Sequence, residues 1–152
     1  MELLNIGENA PDFETIDQTG SRITLSQYKG TPVVLYFYAK DNTPGCTTEA
    51  CSFRDNFPEF ERRGIKVIGI SVDSSDSHKK FVEKYNLNFT LASDRSKEIC
   101  KKYHTLGLAT AKRVTYIIDG NGKIAYVYQK VTPKDHAKEV LNKLKDLQLI
   151  AE

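Results

Sequence analysis

One cysteine of this 152-residue chain sits where its surroundings could make it a reagent. Cys46 follows Thr43-Pro44-Gly45 directly, at the end of an apolar run and the start of a helical pattern. Unpaired backbone N–H groups in a first helical turn, with the positive end of the helix dipole, favour an anion there. A thiolate is that anion, and comparable placements lower a cysteine pKa from about 8.5 into the range of about 3.5–7.5. Thr43 can turn its hydroxyl toward the same sulfur or toward whatever it attacks, and Gly45 lets the backbone approach closely. Arg113 supplies a cation if the strand after it, Val114–Ile118, runs antiparallel to Val33–Ala39. Its start would then lie beside the other's end, with the guanidinium over Cys46 offering several fixed donors. Taken singly, each residue has a plainer reading: a buried cysteine that fits its helix start, and a surface arginine like Lys112 beside it.

The elements that must position these groups follow from pattern. Phe13–Gln18 and Arg22–Ile23 flank Thr19-Gly20-Ser21 as a small hairpin. Thr24 with Gln27 three residues on predicts a capping box opening one short helical turn. Pro32–Ala39 is a continuous apolar run rich in β-branched and aromatic residues, the mark of a strand buried on both faces. A break at Asp41–Gly45 predicts a helix from about Cys46 or Thr47, with Ala50, Phe53, Phe57 and Phe60 on it. Pro58 is expected to kink or divide that helix, and Gly64 to end it. Ile65–Ser71 is a second central strand, parallel to the first. Ser74–Tyr85 and Ser96–Tyr103 read as helices, and Val114–Ile118 and Lys123–Tyr128 as strands joined by the turn Asp119-Gly120-Asn121-Gly122. A last helix spans about Pro133–Leu147. The order is an α/β arrangement, a mixed central sheet flanked by helices with an N-terminal β-hairpin, thioredoxin-like in outline.

Composition narrows the classes of function. The length suits a single domain, residues 1–152. Lys and Arg number 22 against 20 Asp and Glu, a balance with no electrostatic footprint for nucleic acid or an anionic membrane. No apolar run approaches the ~18–20 residues a membrane span requires. The start, Met1-Glu2-Leu3-Leu4-Asn5, lacks the order of a secretory signal, so the cytoplasm is the expected location. Three cysteines are an odd number, and too few for a stapled secreted fold.

Lys40-Asp41-Asn42-Thr43-Pro44-Gly45-Cys46-Thr47-Thr48-Glu49-Ala50-Cys51 closely resembles the active-site segment of the peroxiredoxins. The likeness is to the atypical two-cysteine group called peroxiredoxin Q or bacterioferritin comigratory protein. It extends to the opening Gly7–Phe13 and to Lys112–Asp119, nearly the whole chain. The resemblance implies that Cys46 is the peroxidatic cysteine, Thr43 and Arg113 its activating partners, and Cys51 the resolving cysteine. It implies a thiol-dependent peroxidase that reduces hydrogen peroxide and small organic hydroperoxides through a Cys46 sulfenic acid. A thioredoxin-like dithiol would recycle the resulting disulfide; no metal or organic cofactor is needed, and a monomer is expected. One position departs from the pattern. Ala39 stands where the family has a proline that shields the sulfur, so a looser pocket and reduced peroxide selectivity are expected.

Given that pairing, helix geometry imposes a movement. Five residues along an α-helix place two Cα atoms roughly 8–9 Å apart, beyond the ~7 Å limit for a disulfide. The first turns must therefore unwind on oxidation. Glu49, one turn from Cys46, either orients Arg113 or is a solvated carboxylate at a helix start. Cys100 reads as an ordinary partly buried thiol or as an alternative resolving cysteine; with His104 it is at most half a metal site. His78 and His136 read as exposed polar positions away from Cys46. Two rivals remain: a non-enzymatic redox sensor or holdase whose oxidised helix exposes Phe53 and Phe57, and a thiol–disulfide oxidoreductase. The Cys46–Cys51 spacing is too long for the two-residue separation of the latter.

Overall fold

The structure is a computed structural model that describes residues 2–150. In chain order it contains β1 (Glu14–Asp17), β2 (Arg22–Thr24), a 3₁₀ turn (Ser26–Tyr28), β3 (Val33–Phe37) and α1 (Pro44–Arg62). It continues with β4 (Lys66–Ser71), α2 (Ser75–Tyr85), β5 (Thr90–Ser93), α3 (Glu98–Lys102), β6 (Val114–Ile118), β7 (Ile124–Tyr128) and α4 (His136–Asp146). The strands form one seven-stranded sheet in the order β2-β1-β5-β4-β3-β6-β7. β3 is parallel to β4 and antiparallel to β6, as a mixed sheet requires.

All five residues of β3 are buried, because helices cover both faces of the sheet. Val34, Tyr36 and Tyr38 face one core, packed with Ala50, Phe53 and Phe60 of α1, Phe81 of α2 and Val140 and Leu144 of α4. Val33, Leu35 and Phe37 face the other, with Phe13, Ile99, Cys100, Tyr103 and Tyr116. The alternation of side chains along a strand thus turns one apolar run into the partition between two cores.

The capping box forms as predicted: Thr24 N–H donates to Gln27 Oε1 at 2.8 Å, and Gln27 N–H to Thr24 Oγ1 at 3.3 Å. Four sequence expectations are corrected. β5 was not expected, since four residues between polar flanks carry little periodicity; it joins the hairpin to the sheet by pairing with β1 and β4. α1 begins at Pro44, with Thr43 as N-cap, because proline lacks only an N–H that a first-turn residue would leave unpaired. Pro58 does not divide α1. The Arg54 carbonyl that its missing N–H would have served accepts instead from Asn88 Nδ2 at 3.2 Å. α3 and α4 are shorter than expected, α3 starting only after left-handed Lys97, with Asp94 Oδ1 and Oδ2 accepting from the Ile99 and Cys100 amides.

Candidate active site

The antiparallel register of β3 and β6 sets Phe37 opposite Val114, so Arg113 emerges beside the end of β3, where α1 starts. Its Nη2 donates to Cys46 Sγ at 3.2 Å and its Nη1 to Glu49 Oε1 at 2.6 Å. Cys46 is 2% exposed and Glu49 is fully buried. Burial raises the Glu49 carboxyl to about 7, against the downward pull of the Arg113 guanidinium and its hydrogen bond. Burial works against the Arg113 charge too, but Glu49 and Cys46 outweigh it and hold the cation. Of the two readings of Glu49, the structure shows the carboxylate that orients Arg113. Its Oε2 has no partner among the described residues.

Gly45 is glycine for a steric reason. A Cβ at that position would lie 3.1 Å from Arg113 Nη2, so any side chain would press on the guanidinium that reaches Cys46. Thr43 does not turn its proton toward the sulfur. Its Oγ1 donates to the Lys40 carbonyl at 2.8 Å, closing the loop before α1 and leaving the oxygen as an acceptor. Ala39 packs against the core that contains Cys46.

Cys51 is partly exposed, lies in the same unbroken helix as Cys46, and both are free thiols. Cys100 is fully buried, and burial together with Asp94 raises its thiol to about 12, an inert environment. His104 Nδ1 meets the Glu2 carbonyl at 2.6 Å, while Cys100 packs in the core on the other face from Cys46. The expectation that His78 and His136 are exposed is wrong: both are fully buried. Helical spacing held the signal, since His78 shares a face with Phe81 and His136 with Val140 and Leu144. His136 lies 2.8 Å from Thr115 Oγ1; burial, with the charge of Arg113, lowers it to about 4, so it is neutral. A further cluster, Tyr38, Asp41 and His78, ties the loop before Thr43 to α2, and only the position of His78 on the inner helix face could have disclosed it.

A buried thiol at a helix N-terminus, bonded to an arginine that is itself held by a buried carboxylate, defines a reactive-cysteine site. The chain as a whole resembles known proteins. The AhpC/TSA family profile matches residues 6–127. The chain is 44% identical over 146 residues to the chloroplastic peroxiredoxin Q of Sedum lineare, covering 93% of this chain and 78% of that one. It is 41% identical over 152 residues to peroxiredoxin Bcp of Bacillus subtilis, covering 95% and 97%. Among solved structures, a cysteine-to-serine mutant of PrxQ from Xylella fastidiosa superposes with a TM-score of 0.91 at 34% identity, over 96% of this chain and 98% of that one. The bacterioferritin comigratory protein of Xanthomonas campestris, solved as a trapped intermediate and ligand complex bearing on its alkyl peroxide reduction activity, superposes at 0.88 with 31% identity, over 93% and 98%. The chain belongs to the AhpC/TSA family and, within it, to the peroxiredoxins of the Q and Bcp group, which are thiol-dependent peroxidases with a thioredoxin-like fold.

Proposed function

We propose that Cys46 is the peroxidatic residue of a peroxidase acting on hydrogen peroxide and small organic hydroperoxides, and that Cys51 resolves it. The observation that carries the assignment is the 3.2 Å bond from Arg113 to Cys46 Sγ at the first turn of α1. The thiolate attacks one peroxide oxygen, an S–O bond forms and the O–O bond breaks. The second oxygen leaves as water or an alcohol, taking up a proton, and Cys46 becomes a sulfenic acid. Arg113 and the free amides of the first helical turn stabilise the charge spread over both oxygens. Thr43, its own proton committed to Lys40, accepts the hydrogen of the incoming peroxide. Cys51 then attacks the Cys46 sulfur, the disulfide forms and water leaves; an external dithiol protein of the thioredoxin kind reduces it by two electrons. The alkyl peroxide reduction activity named for the Xanthomonas campestris relative supports organic hydroperoxides as substrates. Three free thiols suit a reducing compartment, and we place the protein in the cytoplasm as a monomer.

Peroxide consumption with excess dithiothreitol, in wild type, Cys46→Ser and Cys51→Ser, tests this. Turnover is lost in Cys46→Ser, and one equivalent of peroxide removes two thiols from wild type. Substantial turnover in Cys46→Ser would move the chemistry to another cysteine and overturn the assignment.

A further inference from the structure

The loop that delivers Thr43 to α1 is fastened to α2 by buried polar groups that the peroxidase chemistry does not use. Asp41 Oδ1 accepts from Tyr38 Oη at 2.6 Å, and Oδ2 accepts from Ser77 Oγ at 2.8 Å. The same Oδ2 lies 2.7 Å from His78 Nδ1, and His78 Nε2 lies 3.0 Å from the Ala92 carbonyl oxygen of β5. A carbonyl can only accept, so Nε2 bears the hydrogen of that contact; Nδ1, shared with Asp41, also lies 3.3 Å from Tyr38 Oη. The pair is sealed from solvent, with side-chain exposures of 0% for His78 and 4% for Asp41. The Asp41 amide donates to Asp73 Oδ2 at 2.8 Å, which also accepts from Ser71 Oγ. Asn42 follows in the left-handed region, φ 62°, its Oδ1 accepting from Lys84 Nζ at 3.2 Å and Tyr85 Oη at 3.1 Å. Two consecutive residues before Thr43 are thus anchored on α2.

We propose that His78 is a positioning residue for the peroxidase: through Asp41 it latches the loop and the first turn of α1 in the peroxide-binding form, and its hold must yield before Cys46 can reach Cys51. The second half rests on the resolving role assigned to Cys51 above. The ligand-type atoms of Asp41, Asp73 and His78 lie within 4.8 Å of one another, but they are engaged with each other and with backbone, which suits a latch. The two steps of catalysis place opposite demands on this contact. Peroxide attack needs Thr43, Gly45 and Cys46 fixed relative to Arg113, whereas disulfide formation needs the same segment released. Weakening the latch therefore slows the first step and quickens the second. A group that only stabilises the whole fold has no reason to divide its effect in that way.

Two conservative variants separate the two bonds of the imidazole. His78→Asn keeps a donor where Nδ1 meets Asp41 and loses the bond to Ala92, while His78→Gln keeps the Ala92 side and loses Asp41. Rapid mixing with one equivalent of hydrogen peroxide, followed by thiol alkylation and mass analysis, times sulfenic acid and disulfide separately. Loss of a hydrogen bond to a charged group shifts a closed–open equilibrium by about 30- to 100-fold, divided between the closed form lost and the open form gained. In His78→Gln we expect peroxide attack to slow about threefold to tenfold and disulfide formation to quicken by about tenfold. His78→Asn stays within about twofold of wild type on both steps. Ile99→Ala, a cavity in the core on the other face of the sheet from Cys46, lowers stability and gives no such opposed pair. Unchanged rates in His78→Gln, both rates falling together, or identical behaviour of the Asn and Gln variants would overturn the latch. Should His78→Gln not fold, Asp41→Asn is expected to show the same opposed pair, and its failure to do so carries the same weight. Absence of any Cys46–Cys51 disulfide in wild type would overturn the role of Cys51 and the release half together, while the peroxide step of His78→Gln is read independently.

Discussion

Arg113 has two jobs in this structure, and substitution can separate them. It bonds the sulfur at 3.2 Å and it neutralises Glu49, whose carboxylate has no exposure to water. Arg113→Met removes both. Breaking a buried ion pair from one side costs about 3–5 kcal/mol, because the surviving charge is left without a partner. Glu49 limits the loss by taking up a proton, so the cost grows with pH: small at pH 6 and near its full value well above 7, where the carboxyl would otherwise be ionised. Adding Glu49→Gln removes the stranded charge, and the double variant should recover most of the stability. The rate should not recover, since neither substitution restores a donor to the sulfur or to the peroxide oxygens. One preorganised donor to a developing charge is worth about 100- to 1,000-fold. Urea unfolding of wild type, both single variants and the double variant at pH 8, with stopped-flow peroxide kinetics on the same proteins, completes the cycle. A double variant no more stable than Arg113→Met, or a peroxide rate reduced less than about tenfold, would refute the division of labour.

Two further outcomes follow from the same site. Gly45→Ala sets a methyl 3.1 Å from Arg113 Nη2, so the guanidinium must withdraw by a few tenths of an ångström; peroxide attack should slow by about tenfold with stability little changed, checked by the same kinetics and unfolding curves. Glu49 also makes stability depend on pH. Its carboxyl is raised from 4.5 to about 7 by burial, so between those values the folded chain holds a proton that the unfolded chain releases, and the contribution is lost as pH rises through that window. Unfolding midpoints at pH 5 and pH 8 should therefore differ in wild type by an amount that Glu49→Gln removes; an equal difference in both proteins would count against a raised carboxyl.

Most of the central architecture could be read from residue types, because β3 and the middle of β4, Val67–Ile70, are buried on both faces with no polar position to blur their pattern. The same strands placed the site: once β6 is antiparallel to β3, Arg113 must arrive at the start of α1. What escaped the sequence shares a physical cause. β5 is short and draws its identity from neighbours on both sides rather than from its own alternation. The buried histidines are polar residues on apolar helix faces, and polarity alone suggests solvent unless a partner far along the chain is known. His78 finds Asp41 across 37 positions, and His136 finds Thr115 across 21. Glu49 is the intermediate case. Its spacing from Cys46 raised the possibility of contact with Arg113, but only the tertiary fold removes water from around it and so gives the contact its strength.

Cys46 and Cys51 impose a mechanical requirement that the remainder of α1 is built to confine. Both lie in one continuous helix whose geometry keeps them about 8–9 Å apart, so part of it must open before sulfur can meet sulfur. Beyond Cys51 the inner face of the helix is held by several contacts. Ser52 Oγ accepts from the Ala137 amide at 3.3 Å, Phe53 and Phe60 are fully buried, and Arg54 Nη1 donates to the Tyr85 carbonyl at 2.8 Å. Asn88 covers the one carbonyl that Pro58 leaves open, so the residue most able to break the helix has been prevented from doing so. Before Pro44, Asp41 and Asn42 are fastened to α2. Between these two anchorages lie about two helical turns, carrying both cysteines and the peroxide-binding amides; besides local bonds such as Thr48 Oγ1 to the Pro44 carbonyl, Arg113 bridges them through Cys46 and Glu49. A helix fastened at its far end and latched at its near end can unwind over that stretch while Phe53 and Phe60 stay seated; of the core it gives up only Cys46 and Ala50. The segment that must be rigid for peroxide and loose for the disulfide is therefore bounded by residues that never touch the substrate, and variants at those boundaries should alter the ratio of the two steps more than their chemistry.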